Sequence, residues 1–345
     1  MALSDYLGGP PTPLITLILP PPSRKSKPRM SETELKPVAE ELPNLSKYVI
    51  DVEEVGPVTV FVEGDLEKLR VSSNIFMTVH GAGTSYQHMV RFNQEADMVE
   101  VAQRSLFLHV ALPGQEAGAE DLDTFASLDS IGLGLVNILD TLRISRVLVL
   151  GDGAGANIAL RFVAAHPSRV HGAVLVNPSA AKTSAKDNWA KAKRLVMKKT
   201  TSMAEELNMR NVEMYAMANK ARSDMMTKLA NVTCDMLVVT GGKMRMVEAG
   251  EAVHREAATG LCSIIKMEEV EQPLVEARDK LADAVVLFAQ GLGLVPNARR
   301  KTSRNLSTSS RTNSSQGSEE GIVVGMVGKH RKISMEQADM PNIRC

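Results

Sequence analysis

The segment Val147-Leu148-Val149-Leu150-Gly151-Asp152-Gly153-Ala154-Gly155-Ala156-Asn157-Ile158-Ala159-Leu160 constrains this chain more than any other. Its apolar start reads as a strand, its glycines as a sharp turn, and the run after the turn as a helix. A serine-type elbow, G-x-S-x-G, presents its nucleophile at the middle position of such a turn, above the end of a sheet. Here the middle position is Gly153, flanked by Gly151, Asp152, Ala154 and Gly155. Glycine has no side chain, so no serine-type acyl-enzyme can form there. A phosphate cradle is the competing reading of the loop. The spacing matches neither G-x-G-x-x-G nor G-x-x-x-x-G-K-[ST], and Asp152 would repel a phosphate.

Around this turn, short apolar runs alternate with helical patterns. Tyr48–Asp51 and Val58–Val62 flank Gly56-Pro57 and read as a hairpin turning at that dipeptide. Ile75–Val79, Leu106–Val110, Val147–Leu150, Ala173–Val176, Met236–Val239 and Ser263–Met267 follow as strands. Such continuous apolar runs suit a parallel sheet buried on both faces. Leu128–Leu142, Ala156–Ala165 and Leu274–Phe288 read as helices. An opening antiparallel pair followed by strand–helix alternation predicts an α/β fold of the α/β-hydrolase kind, mostly parallel, with helices on both faces. The stretch 179–231 interrupts the rhythm and reads as a helical cap insertion. It carries eleven Lys/Arg against five Asp/Glu, and Met214, Met217, Ala218, Ala221 and Met225 fall on one helical face.

The ends differ from the middle. Residues 1–45 are rich in proline, serine and charge and read as a disordered segment. Residues 46–292 form the folded domain, and 293–345 a second disordered tail, basic and Ser/Thr-rich. Formal net charge is zero, so nothing pulls the whole chain toward nucleic acid. Three widely spaced cysteines, Cys234, Cys262 and Cys345, argue against a disulfide framework or a zinc site, and no cofactor is expected. Cys345 lacks the C-a-a-X context of prenylation. The apolar run Leu14 to Leu19 is too short to span a bilayer and lacks the flanks of a signal peptide, so the expected address is cytoplasmic.

The other places where a Ser–His–acid enzyme keeps its machinery can be checked by position. His80-Gly81-Ala82-Gly83 follows the first buried strand, where an H-G-x-G-like turn contributes an oxyanion-hole amide. His80 itself reads as a hydrogen-bonded structural residue. After Met236–Val239 no carboxylate appears until Glu248, and after Ser263–Met267 no histidine appears; His254 precedes that strand. Nucleophile, acid and base positions all read as vacant, which predicts a protein that does not turn over esters.

The segments His80-Gly81-Ala82-Gly83, Pro113-Gly114-Gln115, Gly151-x-Gly153-Ala154-Gly155-Ala156, Val176-Asn177-Pro178 and Asn188-Trp189-Ala190 resemble the N-myc downstream-regulated (NDRG) family over roughly residues 30–292. The resemblance implies a non-enzymatic hydrolase-like fold serving stress response, differentiation and signalling in the cytoplasm. It also implies a tail phosphorylated by basophilic kinases. The chain departs from the family in having Leu112 before Pro113, where alanine is usual, and in lacking the tandem decapeptide repeats of one member's tail. Within the tail, Arg stands three residues before Thr302, Ser303, Ser307 and Ser334, the phosphorylation candidates.

The expected function is therefore an adaptor that works through protein partners of unknown identity. The basic tail offers weak contact with an anionic membrane surface, and no nucleic acid is expected. The alternatives are a small-molecule or lipid binder using the vacated pocket, and an enzyme using Asp152, His80 or Asp97 in a non-standard role.

Overall fold

The computed structural model describes residues 45–72, 74–183, 207–242, 247–258, 260–296 and 298. Its strands are β1 Ser46–Val52, β2 Gly56–Glu63, β3 Ile75–Val79, β4 Leu106–Ala111, β5 Val147–Asp152, β6 Val170–Val176, β7 Asp235–Gly241 and β8 Cys262–Met267. Between them lie α1 Leu66–Leu69, α2 Tyr86–Asn93, α3 Val99–Ala102, α4 Leu128–Thr141 and α5 Ala154–Ala165. The later helices are α6 Met209–Lys220, α7 Val247–Glu256, α8 Pro273–Glu276 and α9 Arg278–Gly291.

The sheet order is β1-β2-β4-β3-β5-β6-β7-β8. The β1–β2 and β2–β4 pairs are antiparallel; every later pair is parallel. Strands β3, β4 and β5 are buried along their whole length, as their unbroken apolar runs require. Edge strand β1 instead alternates exposed and buried positions toward its end.

Each face of the sheet has its own core. On one side Val149, Ala173 and Val238 pack with Ile131 and Leu135 of α4, Ile158 and Phe162 of α5 and Val253 of α7. On the other, Leu148, Leu150, Val174 and Leu237 pack with Met89 and Phe92 of α2, Val101 of α3 and Leu281 and Val285 of α9. Adjacent strand residues serve opposite cores because successive side chains point to opposite faces. Helix starts follow local chemistry: Ser85 accepts from the Gln87 amide, Ser127 from the Ser130 amide (3.0 Å), and Asn208 from those of Arg210 and Asn211.

Several expectations need correction. The hairpin turns at Glu53–Val55, and Gly56 and Pro57 already pair with Val52 and Asp51 in the β1–β2 register. Glu54 (φ 60°) and Gly56 (φ 88°) carry the left-handed conformations that close it. The closing helix is two, α8 and α9, because Ala277 is buried in a non-helical conformation (φ −143°, ψ 49°) that re-aims the chain. The methionine row is not a helix face: α6 ends at Lys220, Met225 lies beyond it, and Met217 is exposed. The buried face of α6 is Asn211, Val212, Tyr215 and Ala216. Packed residues also run past 292, since Leu294, Val295 and Ala298 are buried in the second core.

Candidate functional site

At the carboxyl end of the central strands, β5 runs into Gly153, whose φ of 55° and ψ of −110° lie where L side chains rarely go. The Gly153 amide donates to the Val176 carbonyl (2.9 Å), which ties the turn to the end of β6. A Cβ on Gly153 would meet no described residue within 4 Å, and its φ of 55° is what calls for glycine. Its neighbours answer to crowding. A Cβ on Gly151 would lie 2.6 Å from Ala156 Cα, and one on Gly155 would run into the carbonyls of Val79 and His80. Helix α5 therefore sits closer to β3 and β5 than any side chain at those positions permits. Asp152 closes β5 and Ala154 opens α5, both buried.

The His80–Gly83 turn faces this elbow. A Cβ on Gly81 would lie 2.9 Å from both the carbonyl and a carboxylate oxygen of Asp152, so the two loops touch through glycine backbone. Gly83 takes φ 83°, and the Gly81 carbonyl accepts from the Thr84 amide (3.2 Å) and hydroxyl (3.0 Å). His80 is fully buried. Its Nε2 accepts from the Leu112 amide (3.3 Å), which leaves the proton on Nδ1 to donate to the Gly81 carbonyl (3.0 Å). Both ring nitrogens are thus engaged with backbone, as expected of a structural histidine.

Tyr215 completes the arrangement. Helix α6 delivers it to the His80 turn, where its hydroxyl donates to the His80 carbonyl (3.0 Å). Its ring meets His80 edge-on at 5.9 Å between centroids and stacks on Phe125 at 5.0 Å. It has no solvent exposure. Burial, and then the charge of Asp152, push its phenol well above the usual range. The rest of α6 is bound to the loop after β4. Asn211 accepts from the Leu122 amide and donates to the carbonyls of Gly114 and Glu120; Arg210 pairs with Asp121 at 2.9 Å. Both ends of the insertion are held as well. Arg161 of α5, almost fully buried, bonds Asn157, Asp129 and the hydroxyl and carbonyl of Ser223, while Asn157 reaches the Ser179 carbonyl.

At the end of β7 the chain after β8 packs backbone against backbone. Gly241 ends β7 with Glu271 and Val270 folded over it: a Cβ there would lie 2.5 Å from the Val270 carbonyl oxygen and 2.6 Å from that of Glu271. Asn177, at φ 46°, ties three strand ends together. Its amide donates to Val239, its side-chain oxygen accepts from the Gly241 amide (2.9 Å), and its side-chain nitrogen donates to the Glu271 carbonyl (3.2 Å). Glu248 is exposed on α7, and His254 lies on that same helix. Asp97 is buried between α2 and α3.

Gln115, in the Pro113-Gly114-Gln115 turn, is fully buried, and neither end of its amide has a hydrogen-bond partner among the described residues. Cys234 and Cys262 are free thiols, each pushed up to about 12, chiefly by burial. Thr302, Ser303, Ser307 and Ser334 lie outside the described residues, as do Asn188 and Trp189. Among the described residues no group of His, Cys, Asp and Glu is arranged to hold a metal, and no helix is long and apolar enough to cross a membrane.

Tyr215, Asn211 and Arg161 were not singled out by sequence reasoning. Tyr215 is the insertion's only tyrosine, a signal that was available but carried no hint of its partner.

The strand order, the glycine elbow at the end of β5 and the facing turn after β3 together define an α/β-hydrolase fold. A thermophilic esterase from Thermogutta terrifontis shares it with a TM-score of 0.58, covering 72% of this chain and 99% of that one. At 15% identity that likeness speaks for the fold alone. The chain belongs to the Ndr family, whose model matches residues 49–207 and 192–296. An uncharacterized protein of Caenorhabditis elegans is 30% identical over 302 residues, 77% of this chain and 92% of that protein. Protein NDRG1 of Xenopus tropicalis is 26% identical over 268 residues, 66% of this chain and 67% of that protein.

Proposed function

We propose that this chain is a non-enzymatic member of the Ndr family, acting as a signalling, stress-response and differentiation adaptor that binds other proteins in the cytoplasm. The observation that carries the reading is the apex of the elbow. Gly153 holds the strained turn of a nucleophile position without supplying a nucleophile. Three further features support it. Tyr215 occupies the space against the His80 turn, His80 spends both ring nitrogens on backbone, and the Val270–Glu271 backbone leaves Gly241 no room for a side chain. An enzyme in which Asp152, His80 or Asp97 replaces the lost residues finds no support in this arrangement.

Regulation falls to the tail. Basophilic kinases would phosphorylate Thr302, Ser303, Ser307 or Ser334, each three residues after an arginine. A phosphate adds roughly −1.5 to −2 charge, about half of what Arg299, Arg300, Lys301 and Arg304 carry, and weakens any contact with an anionic membrane. Affinity capture with the full chain and with a Thr302→Ala, Ser303→Ala, Ser307→Ala variant tests the adaptor reading. Specific partners whose recovery changes with the variant are expected. No partner, with no change in localisation, would remove it.

A further inference from the structure

Away from the elbow, a hollow of about 380 Å³ opens between the β1–β2 hairpin and the loop after β4. Pro57, Leu122 and Phe125 give it apolar walls, Glu54 and Glu116 place two carboxylates in the lining, and among the described residues no lysine or arginine lines it. The surrounding charge has the same sign. Residues 116–123 hold four carboxylates (Glu116, Glu120, Asp121 and Asp123) and no cation, and Glu53 stands next to Glu54 in the hairpin turn.

Among the described residues little of this charge is neutralised. Glu53, Glu120 and Asp123 have no ion-pair partner among the described residues, and Glu54 accepts only a hydrogen bond from the Ser130 hydroxyl (3.1 Å). Arg210 meets Asp121, and Lys47 reaches Glu116 at 3.3 Å from a side chain that is 53% exposed. A pair as exposed as Lys47–Glu116 contributes little, so an incoming cation can take the place of Lys47.

The geometry points to a docking site for a basic segment of a protein partner, and so names the partner chemistry for the protein-binding reading on which it rests. One lysine or arginine side chain enters the hollow, lays its methylenes on Pro57, Leu122 and Phe125, and brings its charge to Glu54 and Glu116. Further cations along the segment face Glu53, Glu120 and Asp123. The carboxylates are spread over a hairpin and a loop instead of converging on one point, which suits an extended polycation better than a single ion. Apolar walls with a rim of one sign are also how interfaces combine affinity with steering.

The test titrates the full chain with a fluorescein-labelled decapeptide of alternating arginine and leucine, read by anisotropy, and with its glutamine-for-arginine counterpart. Binding of the arginine peptide alone is expected, weakened about tenfold by Glu54→Gln with Glu116→Gln at an unchanged melting temperature. Glu248→Gln with Asp279→Asn, a control elsewhere on the surface, should leave binding as it is. Equal binding by wild type and the Glu54/Glu116 variant, or by neither with the tail arginines and lysine intact or replaced, overturns the site. The partner assignment also falls if binding appears only when Arg299, Arg300, Lys301 and Arg304 are replaced by glutamine, because the chain's own tail is then the occupant. Ester turnover by the same preparation would sink the non-enzymatic reading whatever the titration gives; a failed titration without turnover sinks the docking site alone.

Discussion

Replacing Tyr215 separates two contributions that the structure keeps apart. Tyr215→Phe keeps the ring on Phe125 and against His80 but removes the 3.0 Å hydrogen bond to the His80 carbonyl. One such bond contributes about 0.5–1.5 kcal/mol. Tyr215→Ala removes a fully buried aromatic side chain as well. Large-to-small changes of this kind cost about 3–5 kcal/mol, because the surroundings collapse only partly into the space left. At about 2–4 °C per kcal/mol for a domain of this size, the alanine variant should melt about 6–20 °C lower and the phenylalanine variant about 1–6 °C lower. Thermal melts of the full chain followed by circular dichroism, with urea titration of the same proteins, give both numbers. An alanine variant that loses less than about 1 kcal/mol would refute the reasoning, since Tyr215 would then not fill the space against the His80 turn.

Two further outcomes follow from the geometry and the two free thiols. Gly153→Ala should fold with a loss of about 1–3 kcal/mol from backbone strain alone, whereas Gly155→Ala should cost more, because its Cβ runs into the Val79 and His80 carbonyls; urea titration ranks the two, and the reverse order would contradict the assignment. Cys234 and Cys262, pushed up to about 12 by burial first, keep their protons longer in the folded state than in the unfolded one. Their contribution is therefore fully present below about pH 9 and lost as pH rises toward 12. Melting temperature should fall across that window less steeply in a Cys234→Ser, Cys262→Ser variant, and an identical slope would rule the thiols out.

The sheet was legible because its central strands β3, β4 and β5 are buried on both faces and so had to be written as unbroken apolar runs. The elbow was legible because Gly151 and Gly155 answer to local crowding between β5, α5 and β3, which leaves a mark in consecutive residues. The sequence puts the hairpin turn three residues too late because Gly56-Pro57 reads as a turn, although proline is tolerated in a strand pairing where it needs no ladder donor. The break at Ala277 left no mark, since alanine favours helix yet here takes a buried, non-helical conformation between α8 and α9. Methionine spacing suggested a helical face that Lys220 cuts short. What closes the site was hidden for a different reason. Tyr215 meets His80 across 135 residues of chain and Asn177 meets Glu271 across 94, and single-sequence patterns do not encode such pairings.

The most direct test of the central claim exposes the purified full chain, and a Gly153→Ser variant, to a fluorophosphonate probe for serine hydrolases and a panel of short-chain esters. Neither protein should be labelled or turn over substrate: the wild type has no side chain at Gly153, and a serine placed there would face a His80 whose two ring nitrogens are bound to backbone. Turnover by the wild type that follows the protein through a second purification step and survives comparison with a mock preparation would contradict the account.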